Sequence, residues 1–328
     1  MERKKILVNN LLPSKGLEKL YENFEVIAPE QTKFTKEEIL KYIPQCQGLL
    51  SAAFKIDKDI MGAGVQLEII SNFGAGYDNV DIAYATQKGI MVTNIPNTVT
   101  QSTAELTLGL IISLLRRVVE GDRRLRPKIH HAWGPSDFLG DTLAGKTLGI
   151  IGMGRIGLAT ARLAQAFGME VVYQKRTSYS QEVEDQLSIK HLPFDELLER
   201  ADVVSLHCPL TPETHHLINE KTLKAMKPSA FLINTARGPV VDEVALLAAL
   251  KTGVIKGAAL DVYEFEPEVT EGLLELDNVI LTPHIGSSTL ETRTNMTQEC
   301  VKHLIDYFSG RKPTHIVNPE YINNRNQA

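Results

Sequence analysis

Reactive side chains follow strand-like apolar segments at several places in the second half of the chain. Four places share this feature: His207 after residues 202–206, Arg237 after residues 231–234, Asp261 to Glu266 after residues 258–260, and His284 after residues 279–281. In an open parallel sheet, ligands bind outside the carboxyl ends of the strands. We therefore expect an arginine, a carboxylate and a histidine from this set to converge on one crevice.

Together, these three residue types suit the reduction of a 2-keto acid by hydride. The planar guanidinium of Arg237 is suited to bind a carboxylate. An imidazole titrates near neutrality, so His284 could donate a proton to the developing alkoxide and act as the base in the reverse reaction. Glu266 beside the histidine would stabilise the imidazolium.

Each of these residues also has a non-catalytic interpretation. Arg237 precedes a glycine and can simply pair with a surface acid, and a Pro-His pair at a strand end, as at His284, is often a capped turn. Glu266 precedes a proline and can belong to a solvated turn. His207 has a comparable position, but Cys208 and the proline after it indicate a loop that lines a bound cofactor.

Residues 146–177 are predicted to form a strand, a tight turn, a helix and a second strand. This unit would bind a dinucleotide whose nicotinamide end lies next to the crevice. The apolar run 148–151 stops at a Gly-Met-Gly-Arg-Ile-Gly turn, small and apolar residues recur at helical spacing to Gly168, and another apolar run follows. This order is a dinucleotide-binding fingerprint, whose glycines form the turn, admit the pyrophosphate and allow close helix packing. The cofactor contacts predicted in this turn are Gly152, Gly154, Arg155, Ile156 and Gly157.

Strand-like and helix-like segments alternate on both sides of this unit, which predicts an α/β protein. Residues 1–100 alone show enough alternation for a small parallel sheet with helices on both faces. The chain of 328 residues is long enough for two domains of ordinary size.

A helix that is apolar on nearly every face is predicted from a capping box at Ser102 to about Val119. Such a helix must be buried, either in the core or against another chain, and it is a candidate dimer contact. Residues 120–142, which include Trp133, are predicted to form an irregular arm.

The composition is that of a globular protein without a nucleic-acid or membrane partner. Hydrophobic residues make up 43% of the chain, and the net charge of −5 with a pI near 6.0 argues against binding to a phosphate backbone. The longest apolar segment, residues 106–115, is shorter than the roughly 20 residues of a membrane span. The N-terminal apolar run is too short for a signal peptide, so a cytoplasmic location is predicted.

Neither a disulfide framework nor a metal site is predicted. The three cysteines form no Cys-x-x-Cys pair. His215 and His216 are adjacent, but no carboxylate or cysteine stands at metal-ligand spacing from them. They are therefore predicted to be surface residues.

A loop with two glycines, residues 73–81, follows the strand-like residues 67–71. Gly74 and Gly76 would allow backbone N–H groups to point at a small anion. The alternative is a simple turn that ends in an aspartate cap on the next helix, and the residues alone favour this alternative.

Several motifs in a fixed order resemble those of the D-isomer-specific 2-hydroxyacid dehydrogenase family, and the resemblance covers nearly the whole chain. The matching stretches are residues 74–81, 102–107, 152–157, 234–238, 261–267 and 282–286. The resemblance implies two Rossmann-like domains, with a doubly wound parallel sheet in the cofactor domain and a smaller, flavodoxin-like substrate domain. It also implies that residues 1–100 plus 286–328 form the substrate domain, and that residues 101–285 form an inserted dinucleotide-binding domain.

The same resemblance implies roles for the site residues. Arg237 would bind the substrate carboxylate and carbonyl, Glu266 and His284 would form the acid/base relay, and a nicotinamide would deliver the hydride. The backbone at Ala75 and Gly76 would hold the substrate carboxylate, which reverses the simple-turn interpretation of that loop. Family members are usually homodimers through the cofactor domain. Further cofactor contacts are expected at Cys208, Thr235, Ala236, Asp261 and Gly286.

The second strand of the cofactor unit departs from the NAD pattern. An acid is expected about 20 residues past the glycine motif, where it holds the ribose 2′-hydroxyl. Here the position carries Lys175, followed by Arg176, with no Asp or Glu from Val171 to Gln181. We therefore predict that NADPH is the preferred cofactor and that NAD is a second one.

Within the family, residues 173–177 resemble those of glyoxylate, hydroxypyruvate and 2-ketogluconate reductases more than those of phosphoglycerate dehydrogenases. The predicted substrate is accordingly a small 2-keto acid, with phosphoglycerate or another D-2-hydroxy acid as the alternative. The same fold also serves a nucleotide-sensing, co-repressor-like binding protein, but no basic stretch or recruiting tail favours that class. A formate-type oxidoreductase is the third alternative.

Overall fold

The computed structural model describes residues 3–126 and 134–325 of the chain. It contains two compact units, which are described separately: Met1–Val99 with Ser287–Ala328, and Thr100–Gly286. Trp133, which the sequence places in the predicted arm, lies outside the described residues.

The first unit contains a five-stranded sheet in which every pair is parallel. Its strands are β1 (Lys5–Val8), β2 (Glu25–Ile27), β3 (Gly48–Ser51), β4 (Ile69–Asn72) and β5 (Met91–Thr93). The helices between them are α1 (Glu18–Asn23), α2 (Lys36–Tyr42), α3 (Lys58–Ala63) and α4 (Ile82–Gln87). The strand order β2-β1-β3-β4-β5 is the flavodoxin-like order.

The second unit contains a seven-stranded parallel sheet. Its helices are α5 (Thr100–Leu115), α6 (Val118–Leu125), α7 (Arg155–Ala166), α8 (Gln181–Leu187), α9 (Phe194–Arg200), α10 (Glu220–Ala225) and α11 (Glu243–Thr252). Its strands are β6 (Thr147–Ile151), β7 (Glu170–Gln174), β8 (Ile189–His191), β9 (Val203–Leu206), β10 (Phe231–Asn234), β11 (Gly257–Leu260) and β12 (Val279–Leu281). The strand order is β12-β11-β10-β9-β6-β7-β8, which is a Rossmann order with one added strand.

The C-terminal helices α12 (Leu290–Phe308) and α13 (Tyr321–Arg325) return to the first unit. The hydroxyl of Ser71 on β4 donates to the carbonyl of Cys300 on α12 at 3.1 Å. Both ends of the chain therefore build this unit. Among the described residues, no helix combines the length and the apolar character needed to cross a membrane.

The central strands of both sheets are buried on both faces. Every residue of β3, β6 and β10 is buried, which explains why these strands are continuous apolar runs rather than alternating ones. The predicted α/β class with two Rossmann-like sheets is confirmed. In the second sheet the strand order reverses at β6, which lies between β7 and β9, and ligands bind at such a switch point.

The predicted helix from Ser102 to Val119 is in fact two helices. The first begins two residues earlier, so Ser102 lies inside α5 and does not cap it. Arg117 adopts a left-handed conformation with a φ of 54°, and α6 follows to Leu125. The irregular-arm prediction is wrong for this stretch because ion pairs from Arg117 and Arg124 to Glu120, each 2.7 Å, support a helix that has no buried face.

His303 is a fully buried titratable side chain of the first unit. Its Nε2 atom lies 3.0 Å from Oγ1 of Thr314. Burial, together with the charges of His315 and Lys302, lowers the pKa of His303 to about 4, from an ordinary value of 6.5. Between about pH 4 and pH 6.5, His303 is therefore neutral in the folded chain and protonated in the unfolded chain.

We expect the free energy of unfolding to fall between about pH 7.5 and about pH 5, with His303 accounting for about 2 kcal/mol of the fall. The unfolded state takes up a proton below pH 6.5, whereas folded His303 takes it up only near pH 4. Urea denaturation of the wild type and of His303→Gln at both pH values measures this contribution. The control is His191→Gln on β8, and equal losses in the wild type and His303→Gln would contradict the expectation.

Candidate active site

The glycine turn after β6 has the close contacts of a dinucleotide site. Gly152 has a φ of 98°, and a Cβ there would lie 2.5 Å from the backbone nitrogen of Cys208. At Gly157, a Cβ would lie 2.6 Å from the carbonyl oxygen of Gly152. Both positions therefore require glycine if the turn is to pack this closely on α7 and on the loop after β9.

Gly154 has the opposite environment, because a Cβ at this position would meet no atom within 4 Å. Gly154 is the N-cap of α7, and no side chain caps this helix. The first-turn N–H groups, at Arg155, Ile156 and Gly157, have no acceptor within a helix and carry the positive end of its dipole. Open space before an uncapped helix N-terminus fits a pyrophosphate.

The carboxyl end of β7 carries positive charge. The Nζ atom of Lys175 lies 3.9 Å from the centroid of the Tyr179 ring, in a cation–π contact. Tyr179 is itself fixed, since its hydroxyl donates to a carbonyl of the glycine turn at 3.1 Å. Arg176 is exposed, and its charge adds to a hydrogen bond from Thr211 in lowering the pKa of Glu213. The position at which NAD sites hold an acid thus carries two cations.

Three further residues predicted to contact the cofactor lie in the loops after β9 and β10. Cys208 is buried, and its backbone nitrogen packs against the first glycine of the turn. Oγ1 of Thr235 lies 2.9 Å from Oγ1 of Thr107 on α5. The N–H of Ala236 donates to Oδ1 of Asn234 at 3.0 Å. These loops border the switch point of the sheet.

Asp261 is buried and holds the turn that follows β12. Its Oδ1 atom accepts from the N–H of Ile285 at 2.8 Å and from the hydroxyl of Thr282 at 2.6 Å. Its Oδ2 atom accepts from the N–H of Gly286 at 2.8 Å. Because each carboxylate oxygen has two lone pairs, one position on Oδ2 is left for a ligand N–H.

Arg237 is positioned by a glycine contact that the sequence did not reveal. At the neighbouring Gly238, a Cβ would lie 1.8 Å from the carbonyl carbon of Tyr263, in the loop after β11. The Nη1 atom of Arg237 donates to the carbonyl of Ala236 at 2.7 Å. The loop that carries Arg237 is therefore packed directly on the loop that leads to Glu266.

Glu266 and His284 form a hydrogen-bonded pair. Nδ1 of His284 lies 3.1 Å from Oε2 of Glu266, and the N–H of Tyr263 donates to Oε1 at 3.1 Å. Burial opposes ionisation of Glu266, but the bond to His284, that N–H and the charge of Arg237 hold the pKa of Glu266 below its ordinary value. Within the described residues, Nε2 of the half-exposed His284 has no partner. The pair can hold a proton there for a bound carbonyl oxygen.

His207 is not suited to this proton transfer. Its Nε2 atom lies 2.9 Å from Oγ of Ser205, and its buried Nδ1 atom has no partner among the described residues. Burial lowers the pKa of His207 to about 4. The ring of His207 is therefore neutral near pH 7 and has no proton to give from a charged form.

The loop at Ala75 and Gly76 in the first unit exposes backbone N–H groups. Asn94 Nδ2 donates to the carbonyl of Ala75 at 2.6 Å, and Asn72 Nδ2 donates to that of Gly76 at 2.8 Å. In the described part of the chain the two N–H groups have no acceptor, so they are available to an anion. Asp81 also caps α4, accepting a backbone N–H at 3.0 Å, so the aspartate cap is confirmed.

The sequence predicts His216 to be a surface residue without a carboxylate partner, but the structure gives it one. Its Nε2 atom lies 2.6 Å from Oε1 of Glu264, which the fold brings from 48 residues away. Its ring stacks on that of His215 at 4.1 Å, and the ligand atoms of all three side chains lie within 4.8 Å of one another. His215 itself is exposed. No local spacing could have revealed the His216–Glu264 contact.

The doubly wound sheet, the glycine turn and the arginine, glutamate and histidine set together define an oxidoreductase that uses a nicotinamide dinucleotide. The sequence model for the NAD binding domain of D-isomer specific 2-hydroxyacid dehydrogenases matches residues 108–286. The chain belongs to the D-isomer specific 2-hydroxyacid dehydrogenase family. It is therefore an enzyme of NAD(P)-dependent 2-keto acid reduction, as the sequence predicted.

Relatives cover nearly the full length of the chain. A Staphylococcus aureus protein assigned as a 2-hydroxyacid dehydrogenase is 44% identical over 316 residues, which is 96% of this chain and 99% of that protein. The crystal structure of the TT0316 protein of Thermus thermophilus is 43% identical, covers 95% of this chain and 99% of its own, and has a TM-score of 0.90. The NADPH-dependent glyoxylate/hydroxypyruvate reductase of Sinorhizobium meliloti, solved with NADP and malonate, is 35% identical, covers 98% of each chain and has a TM-score of 0.84.

Proposed function

We propose that this enzyme reduces glyoxylate, hydroxypyruvate or 2-ketogluconate to the D-2-hydroxy acid, with NADPH as the preferred reductant. The observation that carries the proposal is the Glu266–His284 pair at 3.1 Å, with the charge of Arg237 acting on the same carboxylate. The Sinorhizobium meliloti relative, described as a glyoxylate/hydroxypyruvate reductase, supports this substrate class.

The proposed mechanism assigns one task to each group. Arg237 binds the substrate carboxylate and carbonyl, and the N–H groups of Ala75 and Gly76 bind the carboxylate. A bound nicotinamide supplies the hydride. His284 gives the proton on Nε2 to the carbonyl oxygen as negative charge develops, and Glu266 stabilises the imidazolium until the transfer. In the reverse direction, neutral His284 accepts the proton.

The remaining predicted residues are assigned to the cofactor. The turn residues Gly152 to Gly157 bind the pyrophosphate, and Lys175 and Arg176 bind the 2′-phosphate. Cys208 and the other residues after the strands border the nicotinamide half. These are Thr235, Ala236, Asp261 and Gly286.

The substrate assignment is tested by following NADPH consumption with glyoxylate, hydroxypyruvate and 2-ketogluconate in parallel. We expect the kcat/KM for at least one of these three reductions to exceed that for phosphoglycerate oxidation. The product should be the D-isomer. Phosphoglycerate oxidation faster than all three reductions would favour the alternative substrate, and no turnover with any 2-keto acid would contradict the proposal.

NADPH is expected to give a kcat/KM at least about ten times that of NADH, because a charge-assisted hydrogen bond contributes about 1.5–3 kcal/mol. The double variant Lys175→Ala, Arg176→Ala should lose this factor with NADPH and keep its activity with NADH. Initial-rate kinetics with both cofactors measure the ratio. The matched control is Lys190→Ala on β8, and a higher wild-type kcat/KM with NADH would sink the proposed preference.

We also propose that the enzyme is a homodimer in the cytoplasm. Most of α5 is buried within its own unit, but Leu106 and Ile112 are only half-buried and support a contact with a second copy. A solution mass equal to one 36.4 kDa chain would contradict the dimer.

A further inference from the structure

The loop between β9 and α10, residues 207–219, runs alongside the turn that carries Arg237. The N–H of His216 donates to the carbonyl of Pro239 at 2.8 Å, and the N–H of Ile218 donates to that of Val240 at 3.0 Å. The backbone of His216 is therefore tied to that of Pro239, which lies two residues after Arg237.

The side chain of His216 is hydrogen-bonded to the largely buried carboxylate of Glu264. Its Nε2 atom lies 2.6 Å from Oε1 of Glu264, whose side chain is 12% exposed. The N–H of Glu264 donates to Oε1 of Glu243 at 2.7 Å, and Thr270 Oγ1 donates to Oε2 of Glu243 at 2.5 Å. Oε2 of Glu264 in turn accepts from the N–H of Glu243 at 3.4 Å, so the imidazole supplies the shorter of the two contacts to the Glu264 carboxylate.

Glu264 is two residues before Glu266 in the loop that carries the proposed relay. One side of this loop packs on Gly238, where a Cβ would lie 1.8 Å from Tyr263. The other side is held by the His216–Glu264 bond. A displacement of Glu264 would therefore pass along the backbone to Glu266, whose Oε1 already accepts from the N–H of Tyr263.

We propose that His216 is a positioning residue for the Glu266–His284 pair and acts through Glu264. The proposal rests on the proposed function, in which that pair transfers the proton. Without the imidazole donor, the carboxylate of Glu264 keeps only the N–H of Glu243, 3.4 Å from Oε2, and its unpaired oxygen turns toward water. The loop then moves, and the 3.1 Å contact between Glu266 and His284 lengthens.

Three variants separate this role from general destabilisation. His216→Leu removes the donor, His216→Gln keeps an N–H at a similar reach, and His215→Leu alters the neighbouring ring, which has no hydrogen-bond partner among the described residues. We expect kcat to fall roughly 10- to 100-fold in His216→Leu, because a misplacement of about 1 Å has this effect on a catalytic group. The other two variants should stay within about threefold of the wild type.

The pH dependence of kcat separates positioning from destabilisation, because a loss of folded enzyme lowers kcat at every pH but does not shift the profile. His284 faces the carboxylate of Glu266, on which the charge of Arg237 also acts, and His216 faces Glu264 and the ring of His215. In His216→Leu the imidazolium of His284 loses part of its stabilisation, so the alkaline limb of kcat for reduction should begin at lower pH. The profile of His216→Gln should match that of the wild type.

A crystal structure of His216→Leu tests the positioning without any turnover. We expect the distance between Nδ1 of His284 and Oε2 of Glu266 to exceed hydrogen-bond range. If His216→Leu does not fold, Glu264→Ala breaks the same bond and takes its place. An unchanged 3.1 Å contact, or a lower kcat with an unmoved pH profile, would overturn the proposal. Absent wild-type turnover would instead contradict the proposed function, and the distance would still decide the positioning role.

Discussion

His284→Gln is expected to lower kcat for keto-acid reduction by at least about 100-fold, the smallest contribution usual for general acid catalysis. Glutamine can still donate a hydrogen bond to a carbonyl oxygen, but it cannot transfer a proton near pH 7. The loss should appear in kcat rather than in KM for the keto acid, because binding of the carboxylate is assigned to other groups. Steady-state kinetics at saturating NADPH measure both constants.

The control for this variant is His215→Gln, since His215 is exposed and its ring has no hydrogen-bond partner among the described residues. The control should keep wild-type kcat. Near-normal turnover in His284→Gln, with an unchanged alkaline limb in the pH profile, would show that another group supplies the proton.

Arg237→Gln is expected to lower kcat/KM by roughly 10²- to 10⁴-fold, because two charge-assisted hydrogen bonds of about 1.5–3 kcal/mol each are lost. A second effect concerns Glu266, whose pKa the charge of Arg237 helps to lower. Without that charge the pKa of Glu266 rises, so activity should begin to fall at a higher pH on the acid side. Both effects are measured from kcat/KM as a function of pH.

Arg237→Lys separates the two effects, because lysine keeps the charge but not the planar fork. We expect it to restore the position of the acid limb and to recover only part of kcat/KM. Arg162→Gln, on the exposed side of α7, is the control and should behave as the wild type. An Arg237→Gln enzyme with wild-type kcat/KM would remove Arg237 from the substrate site.

The sequence was sufficient for the features that depend on local pattern. The apolar run 148–151 and the glycines after it predict a strand and a tight turn, and the structure has β6 at Thr147–Ile151 with a φ of 98° at Gly152. The candidate trio followed from a topological rule, because parallel strands end at one edge of a sheet and their following residues meet there. Glu266 and His284 do lie in contact, and the charge of Arg237 acts on Glu266, whereas the catalytic roles of the three residues stay predictions.

The sequence did not predict contacts between loops that are distant along the chain, and it did not predict very short elements. The edge strand β8 has three residues, Ile189–His191, and shows no apolar run. Helix α6 is supported by ion pairs to Glu120 and not by an apolar stripe. The contacts of Gly238 with Tyr263 and of His216 with Glu264 join loops whose proximity no periodicity encodes.

The division of the first unit between the two ends of the chain has a consequence for synthesis on the ribosome. Ser71 and Cys300 are hydrogen-bonded across 229 residues, and Thr93 pairs with Ile316 in an isolated bridge. The first unit therefore stays incomplete until the whole of Thr100–Gly286 has been translated. The later segment has the earlier opportunity to fold, the reverse of the usual N-terminal-first order, and its folding shortens the loop that the first unit must then close.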